Sequence, residues 1–448
     1  MKKQKKGAKR TIDTVCKRRL FRSKRKKKKH EINFSGGDIT SDAGAILLEK
    51  VDKKLSLSKQ ISSTIKDPRQ QSKCDHSLLD MVKQRLYSIA LGYEDVIDQN
   101  DLRHDKAIQA LLNSEVELAS PPTLCRFESY PDRKTALHLH KILLQHFISS
   151  HKKAPAEIIL DFDPTDDETH GNQEGTHFNG YYSHHCFLPL YVFCKDFPLI
   201  AYLRPSNQDG AKHVWAILSL LVKNIRKTWP HTKIIFRGDS GLCRHKMLDW
   251  CERNNVGYVC GIGTNKRLSS LCEPHTSLVR QYFDHTQEKQ KHYAKFEYAA
   301  KTWKKKRCII LKAEHLEKGA NPRMLVTNLD DDPQYLYEKV YCPRGEMENR
   351  IKEQQLGLFA DRTSCSKWWA NQFRLLMATL AYVLIEYIRR ELLAGTKLAR
   401  ACATTIRLKL LKIGAIIIGN TRRIRFFLSS SYPMKDLFLS ALAKLTPS

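Results

Sequence analysis

The chain has 448 residues, a formal net charge of +30 at pH 7 and 28% charged residues. This length allows a substantial buried core and predicts two or three domains. Residues 1–30 hold about half of the excess positive charge, and the remainder of the chain is basic as well. A basic tail followed by a basic body favours nucleic acid as the partner, because Lys and Arg neutralise phosphates and release counterions.

The cysteines and the apolar segments exclude further classes of protein. The thirteen cysteines form no C-x-x-C pair, so we expect buried thiols in a reducing compartment. The cluster at residues 184–186 (HHC) lacks a second pair at zinc spacing and is interpreted as structural or substrate-facing. The basic start leads to no apolar segment, which argues against a signal peptide, and the most apolar stretch, residues 375–385, is too short to span a bilayer. We expect a cytoplasmic protein with no membrane association.

The first third of the chain divides into a tail and a helical region. Residues 1–30 are cationic and of low complexity, and they are predicted to be disordered without DNA. Residues 31–150 are predicted to form a helical DNA-end-binding region, with one helix beginning at the N-cap Ser77 and ending at Gly92. A packing or dimerisation module is the alternative for this region.

From about residue 155 the pattern changes to alternating strands and helices. Strands are predicted at residues 157–163, 187–193, 199–204, 233–238 and 258–262, and helices at residues 214–225 and 244–254. This order is that of an α/β, ribonuclease-H-like core, in which acidic residues collect at one end of the central sheet. We therefore predict a catalytic core in residues 151–263 and 341–395, a β-rich insertion in residues 264–340, and a basic C-terminal region in residues 396–448.

The first acidic position stands where a predicted strand ends. Asp163 closes the apolar run at residues 158–163, and the proline that follows ends the strand and frees its carboxylate. Asp161 lies two residues earlier on the same face and is the less favoured candidate. Residues 166–168 (DDE) are interpreted as a solvated loop.

The second and third acids follow at long intervals. Asp239 lies in the segment RGDSG, residues 237–241, whose glycines let backbone and phosphate approach closely; the alternative is an aspartate that caps the next helix. Glu348 shares a predicted helical face with Lys352 and either forms a surface ion pair with it or binds a metal while Lys352 contacts a phosphate. Two aspartates at strand ends and a glutamate on a helix suit a pair of divalent cations in phosphodiester cleavage.

Several segments carry a resemblance to a known family. They are residues 160–167 (LDFDPTDD), 237–241 (RGDSG), 344–353 (RGEMENRIKE) and 357–363 (GLFADRT), with shorter matches at residues 90–95 (ALGYED) and 102–105 (LRHD). On these segments the chain resembles bacterial insertion-sequence transposases of the DDE type, specifically insertion-sequence family 1380, over about residues 34–440.

The resemblance implies a catalytic and metal-binding triad of Asp163, Asp239 and Glu348 that holds two Mg²⁺ ions, with Mn²⁺ expected to substitute. A broader signature, Y-x2-R-x3-E-x6-K, is matched by Tyr341 and Arg344.

At the lysine position of that signature the chain has Gln355, so phosphate contact is assigned to Lys352 instead. Arg237 joins Tyr341, Arg344 and Lys352 among the expected DNA contacts. In some relatives a tryptophan of the insertion stacks on a flipped base, and Trp303 is the candidate here, with ordinary packing as the alternative.

The implied activity is cut-and-paste transposition. The enzyme would bind terminal inverted repeats, nick them to expose 3′-hydroxyls and join those ends to target DNA, acting as a homodimer in a synaptic complex on double-stranded DNA in the bacterial nucleoid. Two alternatives remain: a structure-specific nuclease of the same fold, and a non-catalytic DNA-binding protein derived from a transposase.

Overall fold

The computed structural model describes residues 21–22, 29–420 and 422–446. The predicted disorder of residues 1–30 therefore falls almost entirely outside the described residues. Within that segment two short strands, β1 (Phe21–Arg22) and β2 (Lys29–His30), pair with each other in antiparallel fashion.

The region before residue 150 is helical, as the sequence predicts. After a short strand, β3 (Ile39–Thr40), it contains α1 (Ala45–Leu55), α2 (Leu57–Thr64), α3 (Leu78–Leu91), α4 (Gln99–Leu102), α5 (Lys106–Leu111), α6 (Pro121–Glu128) and α7 (Arg133–Ser149). The predicted limits of α3 are confirmed. Ser77 caps its N-terminus in a capping box with Asp80, and Gly92 ends it with φ of 96°, a conformation that glycine adopts without strain.

A mixed sheet of nine strands forms the centre of the molecule. Its hydrogen-bonded order is β12-β13-β15-β11-β10-β4-β8-β9, with β14 paired to β13. The strands are β4 (Glu157–Pro164), β8 (Leu190–Cys194), β9 (Phe197–Tyr202), β10 (Lys233–Gly238), β11 (Gly257–Gly261), β12 (Gln290–Tyr298), β13 (Arg307–Leu316), β14 (Gly319–Ala320) and β15 (Arg323–Thr327). The helices that follow its strands are α8 (Val214–Thr228), α9 (His245–Arg253) and α10 (Lys266–Thr286).

Parallel pairing at the centre of this sheet sets the positions of two acids. Strand β10 runs parallel to both β4 and β11, and its register places Gly238 opposite Phe162 and Arg237 opposite Asp161. Because parallel strands end at the same edge, the residues that follow Phe162 and Gly238 emerge side by side. These residues are Asp163 and Asp239.

Residues 264–340 differ in part from the predicted β-rich insertion. The segment begins with α10, a helix of 21 residues that the sequence analysis did not predict, and its strands continue the central sheet through pairing of β15 with β11. The β-rich part of the prediction is met by four strands, β12 to β15. The extra helix packs on β13 and β12, which buries its apolar residues Leu268, Cys272 and Val279.

A second, small sheet lies beyond the end of β4. It consists of β5 (Asp167–Glu168), β6 (His177–Asn179) and β7 (His184–Phe187) in the order β5-β7-β6. The expectation of a solvated loop at residues 166–168 is therefore wrong for Asp167, which is 2% exposed. Its carboxylate accepts a hydrogen bond of 2.8 Å from Thr363, a contact across 196 residues that local sequence does not reveal.

The remaining helices lie between residues 333 and 443. They are α11 (Pro333–Tyr335), α12 (Arg344–Leu358), α13 (Trp368–Tyr387), α14 (Ala403–Ile406) and α15 (Lys435–Ala443), with π-helical turns at Leu336–Tyr341, Ile388–Leu392 and Arg407–Leu411. Two further strands, β16 (Ala415–Asn420) and β17 (Arg423–Leu428), form a sheet with β3. Among the described residues no helix is both long and apolar enough to cross a membrane.

The core lies on both faces of the central sheet. On one face, α13 is buried along most of its length and packs in a continuous apolar cluster with the N-terminal helices and with Tyr191 and Phe193 of β8. On the other face, Leu160, Phe162 and Phe236 pack against α8 and α9. Since side chains alternate along a strand, Asp161 and Asp163 face the side opposite to Leu160 and Phe162.

Candidate active site

Asp163 lies at the end of β4, where its side chain is only 14% exposed. Burial raises the pKa of this carboxyl to about 7; the Arg344 guanidinium opposes the shift, and the charges of Asp239 and Glu348 add to it. Burial and the two neighbouring carboxylates thus disfavour the ionised form of Asp163.

Asp239 follows β10 and begins a short 3₁₀ turn. Its Oδ1 accepts a hydrogen bond of 3.1 Å from the backbone N–H of Leu242, so the residue caps this turn. It does not cap the next helix, as the alternative interpretation expected, because the N-cap of α9 is Arg244. Gly261, at the end of the neighbouring strand β11, makes this arrangement possible. A Cβ atom at Gly261 would lie 2.9 Å from the backbone nitrogen of Ser240 and 3.0 Å from the hydroxyl of Tyr341.

Glu348 lies in the second turn of α12 and is joined to the strand acids by an arginine. Nη2 of Arg344 lies 2.9 Å from Oε1 of Glu348, and Nη1 of Arg344 lies 3.4 Å from Oδ1 of Asp163. The ion pair of Glu348 is thus with Arg344, one turn earlier, and the predicted pair with Lys352 is absent from the described structure. The guanidinium lies between the two carboxylates and partly neutralises both.

Tyr341 completes the centre. It ends the π-helical turn Leu336–Tyr341, a type of irregularity that is frequent at functional sites. Burial raises the pKa of its hydroxyl, Arg344 lowers it and the charge of Asp239 raises it again. The phenol therefore lies within electrostatic range of both groups.

Asp161 and Arg237 form a separate, buried ion pair next to the centre. They are opposite each other in the parallel register of β4 and β10, with Arg237 Nε 2.5 Å from Asp161 Oδ1, and Arg237 also donates to the carbonyl of Val340. Arg237 is 6% exposed, so its guanidinium does not face solvent. Burial raises the pKa of Asp161, and Arg237 counters that shift. This pair ties two strands to the turn that carries Tyr341.

Lys352, Gln355 and Trp303 take no part in the ion pairs that connect Asp163, Arg344 and Glu348. Lys352 is exposed on α12, one turn after Glu348. Gln355, at the lysine position of the broader signature, donates a hydrogen bond of 3.1 Å to the backbone carbonyl of Asp166. Trp303 packs edge-on to Tyr298 at 5.5 Å, and the Arg307 guanidinium lies 5.0 Å from its ring centroid.

Two residues near the centre were not predicted to act together. Nε2 of His184 lies 3.0 Å from Oδ2 of Asp166, three residues after Asp163. The sequence drew attention to His184 through the cluster at residues 184–186, but it offered no sign of its partner. Pairing of β7 with β5 brings the two together.

Three carboxylates from three elements suit an oxygen-preferring divalent cation such as Mg²⁺ or Mn²⁺. The charges of Asp239 and Glu348 both contribute to the raised pKa of Asp163, so the three carboxylates lie within electrostatic range of one another. In the part of the chain that the structure describes, no three His, Cys, Asp or Glu side chains form a ready-made metal cage. Arg344 occupies the space between Asp163 and Glu348, so binding of a cation requires these side chains to rearrange.

Fold and site together define a mixed α/β protein with an acidic centre at the edge of its main sheet. A family model described as "Transposase DDE domain group 1" matches residues 22–448, and the chain belongs to this family. A search among curated proteins found no match. Among solved structures, the chain is similar to a cryo-EM structure of a piggyBac transposase synaptic complex with hairpin DNA. The two share 14% identity over 83% of this chain and 80% of that one, with a TM-score of 0.40, a likeness too distant to support an argument.

Proposed function

We propose that the protein is a bacterial insertion-sequence transposase of family 1380, which cleaves DNA at terminal inverted repeats and transfers the exposed 3′-hydroxyl ends to target DNA. One observation carries the proposal. In a chain of the DDE transposase family, Arg344 joins Asp163 to Glu348, and Asp239 emerges beside Asp163 from the neighbouring parallel strand.

The sheet order supports a ribonuclease-H-like core. Strands β4, β8 and β9 form an antiparallel meander, and β10 and β11 continue the sheet on the other side of β4 in parallel with it. In this arrangement the first and fourth strands of the core lie side by side, and each ends at an acid. Strands β15, β13 and β12 then extend the sheet beyond the core.

Asp163, Asp239 and Glu348 would hold two divalent cations, Mg²⁺ with Mn²⁺ as a substitute. When bound, such cations lower the pKa of a water or hydroxyl and stabilise the charge that develops at phosphorus. The chain's own contribution is positional. Asp239 is fixed by its bond to the Leu242 N–H, and before a cation binds the ion pair with Arg344 keeps Glu348 near Asp163.

Each reaction is an exchange of oxygen atoms at phosphorus. Cleavage forms a bond from phosphorus to a water oxygen and breaks the bond to the 3′-oxygen of the neighbouring nucleotide. Joining forms a bond from that 3′-oxygen to a phosphorus of target DNA and breaks the corresponding bond there. No covalent intermediate with the protein is needed, so positioning and charge supply most of the rate enhancement.

The side chains around the three carboxylates have different proposed roles. Lys352 is exposed one turn after Glu348 and is proposed to contact a DNA phosphate, and Arg344 and Tyr341 to approach the scissile phosphate. Arg237 is proposed to position the centre through Asp161, because its guanidinium is buried in that ion pair. Trp303 is proposed to pack rather than to stack on DNA, since its partly buried ring contacts Tyr298 and the Arg307 guanidinium.

The proposed partners are two terminal repeats and a target duplex, held by a homodimer in the cytoplasm. The deciding experiment is cleavage of a duplex that carries the repeat flanking the gene, with the wild type beside Glu348→Gln. Cutting at the repeat boundary that requires Mg²⁺ and is absent from the variant supports the proposal. Tight binding of the repeat without cutting by either protein favours a binding-only derivative, and cutting without joining of a pre-cut end favours a nuclease.

A further inference from the structure

An exposed tyrosine projects from the small sheet beside the active site. Strands β6 and β7 are joined by a turn at residues 180–183, and the side chain of Tyr181 in this turn is 89% exposed. A tyrosine ring offers a flat apolar surface with a polar tip, which is why tyrosine is enriched where proteins contact their partners.

The turn that carries Tyr181 is held in place by specific bonds. Oδ1 of Asn179 accepts hydrogen bonds from the backbone N–H groups of Tyr181 at 3.0 Å and of Tyr182 at 3.4 Å. Nδ2 of Asn179 donates to the carbonyl of Ser206 at 2.9 Å, and the N–H of Ser183 donates to the carbonyl of Asn179 at 2.8 Å. The base of the Tyr181 side chain is thus fixed relative to the sheet.

A series of contacts connects this ring to the catalytic edge. Tyr181 lies edge-on to Tyr182 with ring centroids 4.9 Å apart, and Tyr182 stacks on His184 at 6.0 Å. His184 is bonded to Asp166, three residues after Asp163. Burial raises the pKa of Tyr182 to about 12, with contributions from the charges of Asp166 and Asp163, so the second ring of the series lies within electrostatic range of the centre.

The two tyrosines of the turn differ in how much of the aromatic ring is free to contact a partner. Tyr182 is half-buried and stacks on His184, whereas the Tyr181 side chain stays 89% exposed beside its perpendicular contact with Tyr182. Phe178, on the adjacent strand β6, is 58% exposed but packs edge-on to His185 at 5.6 Å, on the opposite face of the small sheet from His184. An open aromatic face next to a centre that handles phosphodiester bonds matches the flat surface of a nucleobase, provided that the base is unpaired.

We propose that Tyr181 is a stacking platform for an unpaired nucleobase in the DNA strand that flanks the cleaved phosphodiester bond. The proposal rests on the proposed function, because it places DNA at the carboxylate centre. It adds a residue that positions the strand and that distinguishes unpaired from paired ends. A ring that stacks on one base increases affinity by about 10-fold, without dependence on sequence.

The experiment uses the full-length protein and two DNA probes of the same sequence, a fully paired duplex and a duplex with a short unpaired tail that carries 2-aminopurine. Tyr181→Ala removes the ring and Tyr181→Phe retains it. Tyr282→Ala is the matched control, since Tyr282 is 56% exposed on α10, which packs on the outer strands β12 and β13.

We expect wild type and Tyr181→Phe to bind the tailed duplex more tightly than the paired one and to quench the 2-aminopurine fluorescence. Tyr181→Ala should lose about 10-fold in affinity for the tailed duplex, lose the quenching and keep its affinity for the paired duplex. Tyr282→Ala should resemble the wild type with both probes. Thermal unfolding of each variant shows whether its fold is retained.

Other outcomes overturn the proposal in distinguishable ways. Equal loss on both probes would make Tyr181 part of the turn's structure or of a general DNA surface. Unchanged binding by Tyr181→Ala would mean that the exposed ring does not contact DNA and would favour a protein as its partner. In both cases metal-dependent cleavage of the terminal repeat would keep the proposed function standing, whereas a wild type that binds neither probe nor the repeat would remove both proposals.

Discussion

Nη1 of Arg344 lies 3.4 Å from Oδ1 of Asp163, although 181 residues separate them in the chain. Arg344 comes from the first turn of α12, and Asp163 from the end of β4. The same guanidinium holds Glu348 at 2.9 Å, so one side chain fixes the helix acid relative to the strand acid. This contact makes the carboxylates of Asp163 and Glu348 a single electrostatic unit.

Asp239→Asn should abolish cleavage of the terminal repeat and leave its binding within about 2-fold of wild type, a difference of only a few tenths of a kcal/mol. The variant retains an oxygen that can accept the bond from the Leu242 N–H, so the 3₁₀ turn should persist. Cleavage and gel-shift measurements on the same duplex separate the two effects. Loss of binding together with cleavage would assign Asp239 a structural role.

The stability of the metal-free protein should depend on pH through Asp163. Its pKa rises from 3.8 in the unfolded chain to about 7 in the folded state, so between these values the folded state holds a proton that the unfolded state has lost. The free energy of unfolding therefore decreases as pH rises from about 4 to 7. Asp163→Asn removes this effect and should melt several degrees above wild type at pH 8, with the difference vanishing near pH 4.

Thermal unfolding of wild type and Asp163→Asn, measured with a chelator from about pH 4 to about pH 8, tests this pH dependence. Asp209→Asn is the control of opposite sign, because the pKa of Asp209 is lowered: burial raises it, and its bonds to the Ala211 N–H and to Arg244 outweigh that effect. That variant should lose stability at neutral pH and match wild type in acid. Parallel melting curves for wild type and Asp163→Asn would show that Asp163 does not titrate as proposed.

The buried ion pair of Asp161 and Arg237 should be costly to break on one side only. Asp161→Leu leaves the Arg237 charge buried without its partner, and we expect a loss of about 3–5 kcal/mol in the free energy of unfolding. The double variant Asp161→Leu, Arg237→Leu should lose less than the single one, because no unpaired charge remains. Urea unfolding of the wild type, Asp161→Leu, Arg237→Leu and the double variant gives the coupling energy between the two side chains. Additive losses would mean that the two side chains act independently.

Lys352→Gln should weaken binding of any duplex to a similar degree and reduce the slope of log affinity against log salt by about 1. Lys318→Gln changes an exposed lysine in the turn between β13 and β14 and should leave the slope unchanged. Titrations at several salt concentrations provide the comparison. Equal slopes for the two variants would remove Lys352 from the phosphate contacts.

Trp303→Ala should destabilise the protein by about 3 kcal/mol, the lower end of the range for loss of a packed aromatic side chain. The ring contacts Tyr298 and the Arg307 guanidinium, and a phenyl ring can keep both contacts, so Trp303→Phe should be tolerated. Thermal unfolding measures the first effect, and binding of a tailed duplex tests the alternative. A selective loss of binding at unchanged stability would restore the base-stacking interpretation of Trp303.

Local sequence determined much of the secondary structure. The apolar run before Asp163, the cap at Ser77 and the glycine at 92 predicted β4 and the limits of α3, because strand alternation and helix capping depend on neighbouring residues. The same local logic placed Asp163 and Asp239 at strand ends. It did not reveal α10, whose residues are polar on most faces and carry a proline inside the helix.

Which side chains meet depends on the tertiary structure. The parallel register of β4 and β10 places Arg237 opposite Asp161, and the packing of α12 on the sheet brings Arg344 to Asp163. Pairing of β7 with β5 brings His184 to Asp166 and leaves Tyr181 exposed at the turn. These contacts join residues far apart in the chain, and their energies depend on burial and register, which no local pattern of residues specifies.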